Sequence, residues 1–180
     1  MREAMRFAEA AHRGQFRKGT DDSPYILHPI SVAMTLARAG AEEDLLVIGL
    51  LHDVAEDTAL DLSEIENRFG VRVVAILTQL TKASNEDPSA AEVAEMLQSP
   101  EAVQVKSADL IVNLSDVIFD VSEHGVGHLE TLFNDPAAKT HSYLSLARLL
   151  IERLAPQSPL RVSLIELSSR GRDLRKAIEV

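Results

Sequence analysis

The stretch that decides the architecture of this protein is LLVIGLLHDVAEDT, from Leu45 to Thr58. Its apolar run leads directly into the adjacent polar pair His52 and Asp53. Glu56 and Asp57 follow one helical turn later, so each lies on the same helix face as one member of that pair. An ionised carboxylate that is buried without a partner costs several kcal/mol or more. A bound metal ion would offset that cost, and the stretch therefore predicts a metal-dependent hydrolase.

The composition is typical of a globular protein. The chain has 180 residues, of which 46% are hydrophobic, and this length fits one domain, 1–180, with a sizeable core. No apolar run approaches the roughly 18 residues that a membrane span needs. The N-terminus lacks the apolar stretch of a signal peptide. We therefore expect a cytoplasmic protein that does not bind a membrane.

Charge and cysteine content restrict the chemistry further. The chain has no cysteine, which excludes disulfides, thiolate zinc sites and cysteine nucleophiles. Nitrogen and oxygen ligands suit manganese, iron, magnesium or zinc held by imidazole and carboxylate. The formal net charge of −10 argues against nucleic-acid binding. A small anionic substrate is compatible with this charge only if the chain carries a local basic patch.

The hydrophobic residues recur with a period near 3.6 and rarely alternate, which predicts an all-α fold. Asp109 and its neighbours fall in a long apolar segment that we expect to be a central helix. Gly125 and Gly127 mark a loop after it. In chain order, the predicted helices span residues 1–12, 29–39, 42–55, 61–69, 71–80, 90–97, 102–121, 137–154 and 161–178.

Two further segments carry residues that could bind the same metal. His28 immediately precedes Pro29 at a predicted helix start, and Asp109 lies mid-helix with Asn113 one turn further along the same face. Each residue also has a simpler explanation when taken alone. His28 is compatible with an ordinary loop or cap, Asp109 with a salt bridge to an arginine, and the His52 pair with solvated acids at a helix end. The ordered set of two histidines and two aspartates is much more specific.

A basic cluster lies just before His28 in this acidic chain. The segment AHRGQFRK contains Arg13, Arg17 and Lys18. Positive charge near a metal suits a polyphosphate substrate. A solvated basic loop is the alternative.

Three motifs resemble the hydrolase domain of RelA/SpoT homologues, which belongs to the HD phosphohydrolase superfamily. AHRGQFRKGTDDSPYILHPISVA resembles the first motif of that domain, GLLHDVAEDT the second and VKSADLIVNLSD the third. The resemblance covers about residues 3–120 and continues weakly into the C-terminal helices at about 137–180. No synthetase or regulatory region fits in 180 residues. The chain therefore resembles a stand-alone small alarmone hydrolase.

The resemblance implies an all-helical HD bundle that uses one Mn²⁺ ion. It implies hydrolysis of the 3′-pyrophosphate of (p)ppGpp, which yields GDP or GTP and pyrophosphate. Glu56 and Asp57 would activate or position the attacking water. The implied metal ligands are His28, His52, Asp53 and Asp109, and the implied substrate contacts are Arg17, Lys18, Tyr25 and Asn113.

The chain also departs from the family pattern. The loop between Lys18 and Tyr25 is longer than in the long bifunctional enzymes. Leu110 replaces a usual Arg or Lys, Val112 a usual His or Tyr, and Ser115 a usual Arg. These changes leave the identity of the substrate's base undetermined. An adenine alarmone (ppApp-type) or a broader range of 3′-pyrophosphate nucleotides is therefore an alternative substrate.

Two other functions remain open on the sequence alone. An HD 5′-nucleotidase would share the metal ligands but not the AHxxQxRK segment. A binding module with a vestigial site would lack a ligand or an acid, whereas all six residues are present here. Homo-oligomerisation is also open. We expect His12 to pack or hydrogen-bond near the first motif, and His124, His128 and His141 to lie at the surface or at an interface.

Overall fold

The computed structural model describes residues 1–18, 23–54, 61–81 and 89–178, and every regular element in that part is helical. The all-α prediction is thus confirmed. None of the described helices is long and apolar enough to cross a membrane. The helices are α1 (Arg2–Ala11), α2 (Leu27–Arg38), α3 (Glu43–Leu51), α4 (Leu62–Phe69), α5 (Val71–Leu80), α6 (Ala90–Met96), α7 (Pro100–His124), α8 (Leu129–Leu132), α9 (Pro136–Arg153) and α10 (Pro159–Ile178), with a 3-10 turn at Val126–His128.

The long helix α7 is central, as its apolar sequence predicts. It packs against α2, α3, α5, α9 and α10. One hydrophobic cluster extends from Phe7 in α1 to Leu167 in α10 and includes the fully buried Leu36 and Leu51. Because α7 contributes Leu110 and Leu114 to this cluster, Asp109 on the same helix is buried as well.

Several helix ends differ from the predicted ones. The helix α3 ends at Leu51, and the His52–Asp53 pair forms a turn, although His52 keeps helical angles of φ −60° and ψ −33°. Val54 is again helical, and the last residue of the predicted helix, Ala55, lies outside the described residues. The helix α7 begins at Pro100 because the Ser99 side chain accepts a hydrogen bond from the Ala102 amide at 3.1 Å.

The ends of α2 and α7 also differ. The helix α2 begins at Leu27, so that His28 lies inside its first turn rather than ahead of it. Gly125, at φ 81°, ends α7, and short helical turns over residues 126–132 occupy much of the predicted loop.

A close approach between α2 and α3 brings the two predicted histidine ligands together. A Cβ atom on Gly49 would lie 2.7 Å from Leu36 Cδ1 and 3.6 Å from Ala33 Cα, so only glycine fits without a shift. The imidazole rings of His28 and His52 lie 5.3 Å apart between centroids. A side chain at Gly49 would require the Leu36 side chain to move.

Replacing Gly49 should test how tightly α2 and α3 pack at this position. We expect Gly49→Val to lower the free energy of unfolding by about 1–3 kcal/mol, because the added methyl groups overpack the interface of α2 with α3. Urea denaturation followed by circular dichroism measures the change. Gly127→Val is the matched control, since a Cβ there meets no atom within 4 Å. Equal effects of the two substitutions would contradict the packing argument.

Candidate functional site

The four predicted metal ligands come from three parts of the fold and lie close together. His28 belongs to the first turn of α2, His52 and Asp53 follow α3, and Asp109 lies in the middle of α7. His28 Nε2 lies 3.2 Å from Asp109 Oδ1 and 3.5 Å from Asp53 Oδ2. His52 Nε2 lies 3.1 Å from Asp53 Oδ1. The imidazole and carboxylate groups are thus directed at a common centre.

This centre is shielded from solvent. His28, His52 and Asp109 are only 3%, 4% and 6% exposed. Their ligand atoms lie within 4.8 Å of one another, a spacing at which the three groups could hold one ion. Asp53 is the most accessible of the four ligands, with 16% of its side chain exposed. An open side at Asp53 would leave room for substrate.

The hydrogen bond that His52 makes to the backbone fits a metal ligand. Its Nδ1 lies 2.8 Å from the Gly49 carbonyl oxygen, which can only accept, so the hydrogen is on Nδ1. Its Nε2 is buried and makes no hydrogen bond with any residue that the structure describes. With Nδ1 held by a carbonyl oxygen, Nε2 is the nitrogen that faces the carboxylates and would bind an ion. Two nitrogen and two oxygen donors fit a divalent transition metal.

The electrostatics also favour positive charge at the centre. Burial lowers the pKa of the His52 imidazole, but the Asp53 and Asp109 carboxylates outweigh burial and raise that pKa to about 9. Burial also disfavours the charged form of Asp109 and so raises its pKa. Lys106 and the two imidazoles outweigh burial and hold that pKa well below its usual range. The carboxylates thus stabilise a positive charge at the position where a metal ion would sit.

A second layer of side chains orients the two carboxylates. Lys106 Nζ donates to Asp109 Oδ2 at 2.8 Å, and Asn113 Nδ2 donates to Asp109 Oδ1 at 2.6 Å. The Tyr25 hydroxyl donates to Asp53 Oδ2 at 2.8 Å. Tyr25 and Asn113, predicted as substrate contacts, therefore also touch the predicted ligands. The sequence prediction did not include Lys106, although its position three residues before Asp109 places it on the same face of α7.

A cleft of about 600 Å³ adjoins the centre. Tyr25 and Asn113 form part of its wall, and the predicted basic residues Arg17 and Lys18 line it as well. Arg17 Nη2 donates to Asp116 Oδ2 at 2.8 Å and to Asn113 Oδ1 at 3.2 Å. The cleft thus brings all four predicted substrate contacts together.

Nine residues that line the cleft were not predicted as site residues, and five of them carry charged or aromatic side chains of α7 and the C-terminal part of the chain. Asp116 and Asp120 follow Asn113 at helical spacing on α7, and this spacing is the signal that could have identified them. The other three come from the C-terminal part of the chain, where no motif marked them. They are Phe133, Lys139 and Tyr143.

The departures from the family pattern lie outside the described wall of the cleft. Leu110 and Val112 are 2% and 7% exposed and belong to the hydrophobic core. Ser115 faces solvent, and its hydroxyl donates to the Ile111 carbonyl oxygen at 2.7 Å. The apolar residues at positions 110 and 112 are therefore explained by core packing.

The remaining predicted residues have different outcomes. Glu56 and Asp57, the predicted catalytic acids, lie outside the described residues, as does the loop at 19–22. His12 is buried and packs against Tyr25, with ring centroids 4.8 Å apart, as predicted. His124 and His141 are exposed, whereas His128 is half-buried.

Comparison with known proteins agrees with this geometry. The sequence profile of the HD domain matches residues 4–179, and the chain belongs to the HD-domain family. A relative in Homo sapiens, named guanosine-3′,5′-bis(diphosphate) 3′-pyrophosphohydrolase MESH1, is 37% identical over 121 residues, which cover 64% of this chain and 68% of that protein. The GTP pyrophosphokinase of Streptomyces coelicolor is 37% identical over 119 residues, which cover 62% of this chain but only 14% of that protein.

Two solved structures have a similar fold, and one of them is of SpoT type. A structure described as a metazoan orthologue of SpoT that hydrolyses ppGpp has a TM-score of 0.76 and 26% identity, covering 96% of this chain and 95% of that one. A Listeria monocytogenes protein has a TM-score of 0.70 and 25% identity, covering 84% of this chain and 98% of that one. The resemblance to RelA/SpoT homologues is thereby confirmed. Family membership and the buried His/Asp cluster together indicate a divalent metal ion.

The hydrogen bond from Tyr25 to Asp53 gives a test of the second layer. We expect Tyr25→Phe to weaken Mn²⁺ binding by about 10–100-fold, because Asp53 loses the group that orients it. Isothermal titration calorimetry measures the affinity. Tyr143→Phe, which removes a hydroxyl elsewhere in the same cleft, should leave Mn²⁺ affinity unchanged. Equal affinities in wild type and Tyr25→Phe would show that this hydrogen bond does not support the ion site.

Proposed function

We propose that this protein is a metal-dependent hydrolase that removes the 3′-pyrophosphate of (p)ppGpp and yields GDP or GTP and pyrophosphate. One observation carries the proposal. A buried cluster of two imidazoles and a carboxylate, with the Asp53 carboxylate beside both imidazoles, adjoins a cleft lined by Arg17 and Lys18. The names of the relatives that share this family point to the same reaction.

The proposed ligands of the ion are His28, His52, Asp53 and Asp109. We propose Mn²⁺, because mixed imidazole and carboxylate donors suit it and the chain offers no thiolate. When bound, such an ion supplies a Lewis acid that lowers the pKa of water and offsets charge on a phosphoryl oxygen.

The chain's own residues would perform the proton transfer. Glu56 or Asp57 takes a proton from the attacking water, whose oxygen forms a bond to the phosphorus attached to the 3′ oxygen. The bond from that phosphorus to the 3′ oxygen breaks, and the 3′ oxygen leaves as a hydroxyl after it gains a proton. The 3′ group is thus released as pyrophosphate.

The basic residues of the cleft would position the phosphates. Arg17 is held between Asp116 and Asn113, so its guanidinium enters the cleft already oriented. A fixed guanidinium loses less conformational freedom when it binds phosphate than a mobile one. Because the whole chain carries a net charge of −10, this local positive charge is what admits a polyanionic substrate.

The two alternative functions predict different products. A 5′-nucleotidase would release inorganic phosphate from nucleoside monophosphates, whereas the proposed enzyme releases pyrophosphate from ppGpp. A vestigial binding module would bind ppGpp without turnover. A substrate panel with Mn²⁺ that includes ppGpp, pppGpp, ppApp and nucleoside monophosphates separates all three.

Removing one proposed ligand tests the proposal. We expect Asp53→Ala to reduce pyrophosphate release from ppGpp with Mn²⁺ by more than about 100-fold, because the ion loses a ligand at the open side of the site. A coupled pyrophosphatase assay measures the rate, and thermal unfolding checks that the variant folds. Asp173→Ala, at an exposed surface position, is the matched control. Undiminished release by Asp53→Ala would refute the assignment of the metal site.

A further inference from the structure

The side-chain amide of Asn113 connects the metal site to the cleft. Its Nδ2 donates to Asp109 Oδ1 at 2.6 Å, and its Oδ1 accepts from Arg17 Nη2 at 3.2 Å. A carboxylate only accepts hydrogen bonds and a guanidinium only donates them, so the two ends of this amide cannot be exchanged. The half-buried Asn113 is therefore fixed in one orientation between a proposed metal ligand and a cation of the cleft.

Both partners of Asn113 are also held from their other sides. Asp109 Oδ2 accepts from Lys106 Nζ at 2.8 Å, and Arg17 Nη2 also donates to Asp116 Oδ2 at 2.8 Å. The members of this network that belong to α7 are spaced three or four residues apart, so they form one row along a single face of the helix. Hydrogen bonds thus connect Lys106 to Asp116 without a break.

The backbone around Arg17 is held in place as well. The Arg17 amide donates to the Ser23 carbonyl oxygen at 2.8 Å, and the Tyr25 amide donates to the Gln15 carbonyl oxygen at 2.9 Å. Both hydrogen bonds described for the guanidinium use Nη2. A guanidinium has five N–H donors, so Arg17 can bind a phosphate through the others while it stays in contact with Asn113.

We propose that Asn113 is a positioning residue that couples Arg17 in the cleft to the metal ligand Asp109. This inference rests on the metal site of the proposed function. Arg17 fixes the amide, and the fixed amide orients the Asp109 carboxylate toward the ion. Coupling between two sites is reciprocal, so an ion held by Asp109 also supports the orientation of Arg17. The cation that meets phosphate and the ligand that meets the ion are thereby ordered together.

Electrostatic repulsion alone predicts the opposite effect of Arg17 on the ion. A cation near a bound Mn²⁺ repels it, so removal of the guanidinium charge would strengthen Mn²⁺ binding if no coupling existed. The proposed coupling predicts weaker binding after the same change, because Asn113 loses the donor that fixes its amide and Asp109 is then oriented less firmly. The two explanations therefore differ in the sign of the change in Mn²⁺ affinity.

Calorimetric titration of the substrate-free protein with Mn²⁺ tests the coupling. We expect Arg17→Met to weaken Mn²⁺ binding by about threefold to thirtyfold, as for substitutions along a coupled network. The matched control is Lys18→Met, which removes an equal charge from the same cleft. In the part of the chain that the structure describes, no hydrogen bond joins Lys18 to Asn113 or Asp109. The control should therefore leave Mn²⁺ affinity unchanged or raise it.

A double-mutant cycle shows whether the effect passes through Asn113. The variant Asn113→Leu keeps the approximate size of the side chain but removes both hydrogen bonds, and it should weaken Mn²⁺ binding by about tenfold to a hundredfold. In that background, Arg17→Met should no longer weaken Mn²⁺ binding, because the connection to Asp109 is already broken. Independent structural damage would instead give additive effects. Thermal unfolding without Mn²⁺ checks that each variant folds.

The outcomes distinguish the coupling from the proposed function. If the wild-type protein binds no Mn²⁺, the proposed metal site fails and the coupling fails with it. If the wild type binds Mn²⁺ and Arg17→Met binds it as tightly or more tightly, only the coupling is overturned. Equal weakening by Arg17→Met with and without Asn113→Leu would also overturn it, because the effect would then bypass Asn113.

Discussion

Asp109 is a carboxylate in the interior of the longest helix, and the rest of the site compensates its charge. Lys106, Asn113 and two imidazoles surround it, so that the carboxylate stays ionised although only 6% of the residue is exposed. Leaving such a charge unpaired would cost several kcal/mol. The histidines of α2 and of the segment after α3 contribute to this compensation together with Lys106.

Local sequence patterns predict much of this protein because its chemistry lies in short motifs. The apolar period identifies the helices, and His28, the His52 pair and Asp109 stand out as polar groups beside apolar runs. Local patterns do not predict the contacts between residues that are far apart in the sequence. Arg17 and Asp116 are 99 residues apart, and no periodicity encodes their hydrogen bond. The C-terminal wall of the cleft was missed for the same reason, since Phe133 and Tyr143 resemble ordinary core residues in the sequence.

The cleft combines opposite charges. Arg17 and Lys18 suit phosphate, whereas Asp116 and Asp120 line the same cleft from α7. A uniformly basic cleft would bind many polyanions in a similar way. Carboxylates within the cleft reduce that general attraction.

Anomalous diffraction from crystals soaked in Mn²⁺ tests the central claim most directly, because it locates the ion independently of any activity. The account predicts one manganese peak per chain, within bonding distance of His28 Nε2, His52 Nε2, Asp53 and Asp109. A manganese peak bound elsewhere, or one that lacks both imidazoles, would contradict it.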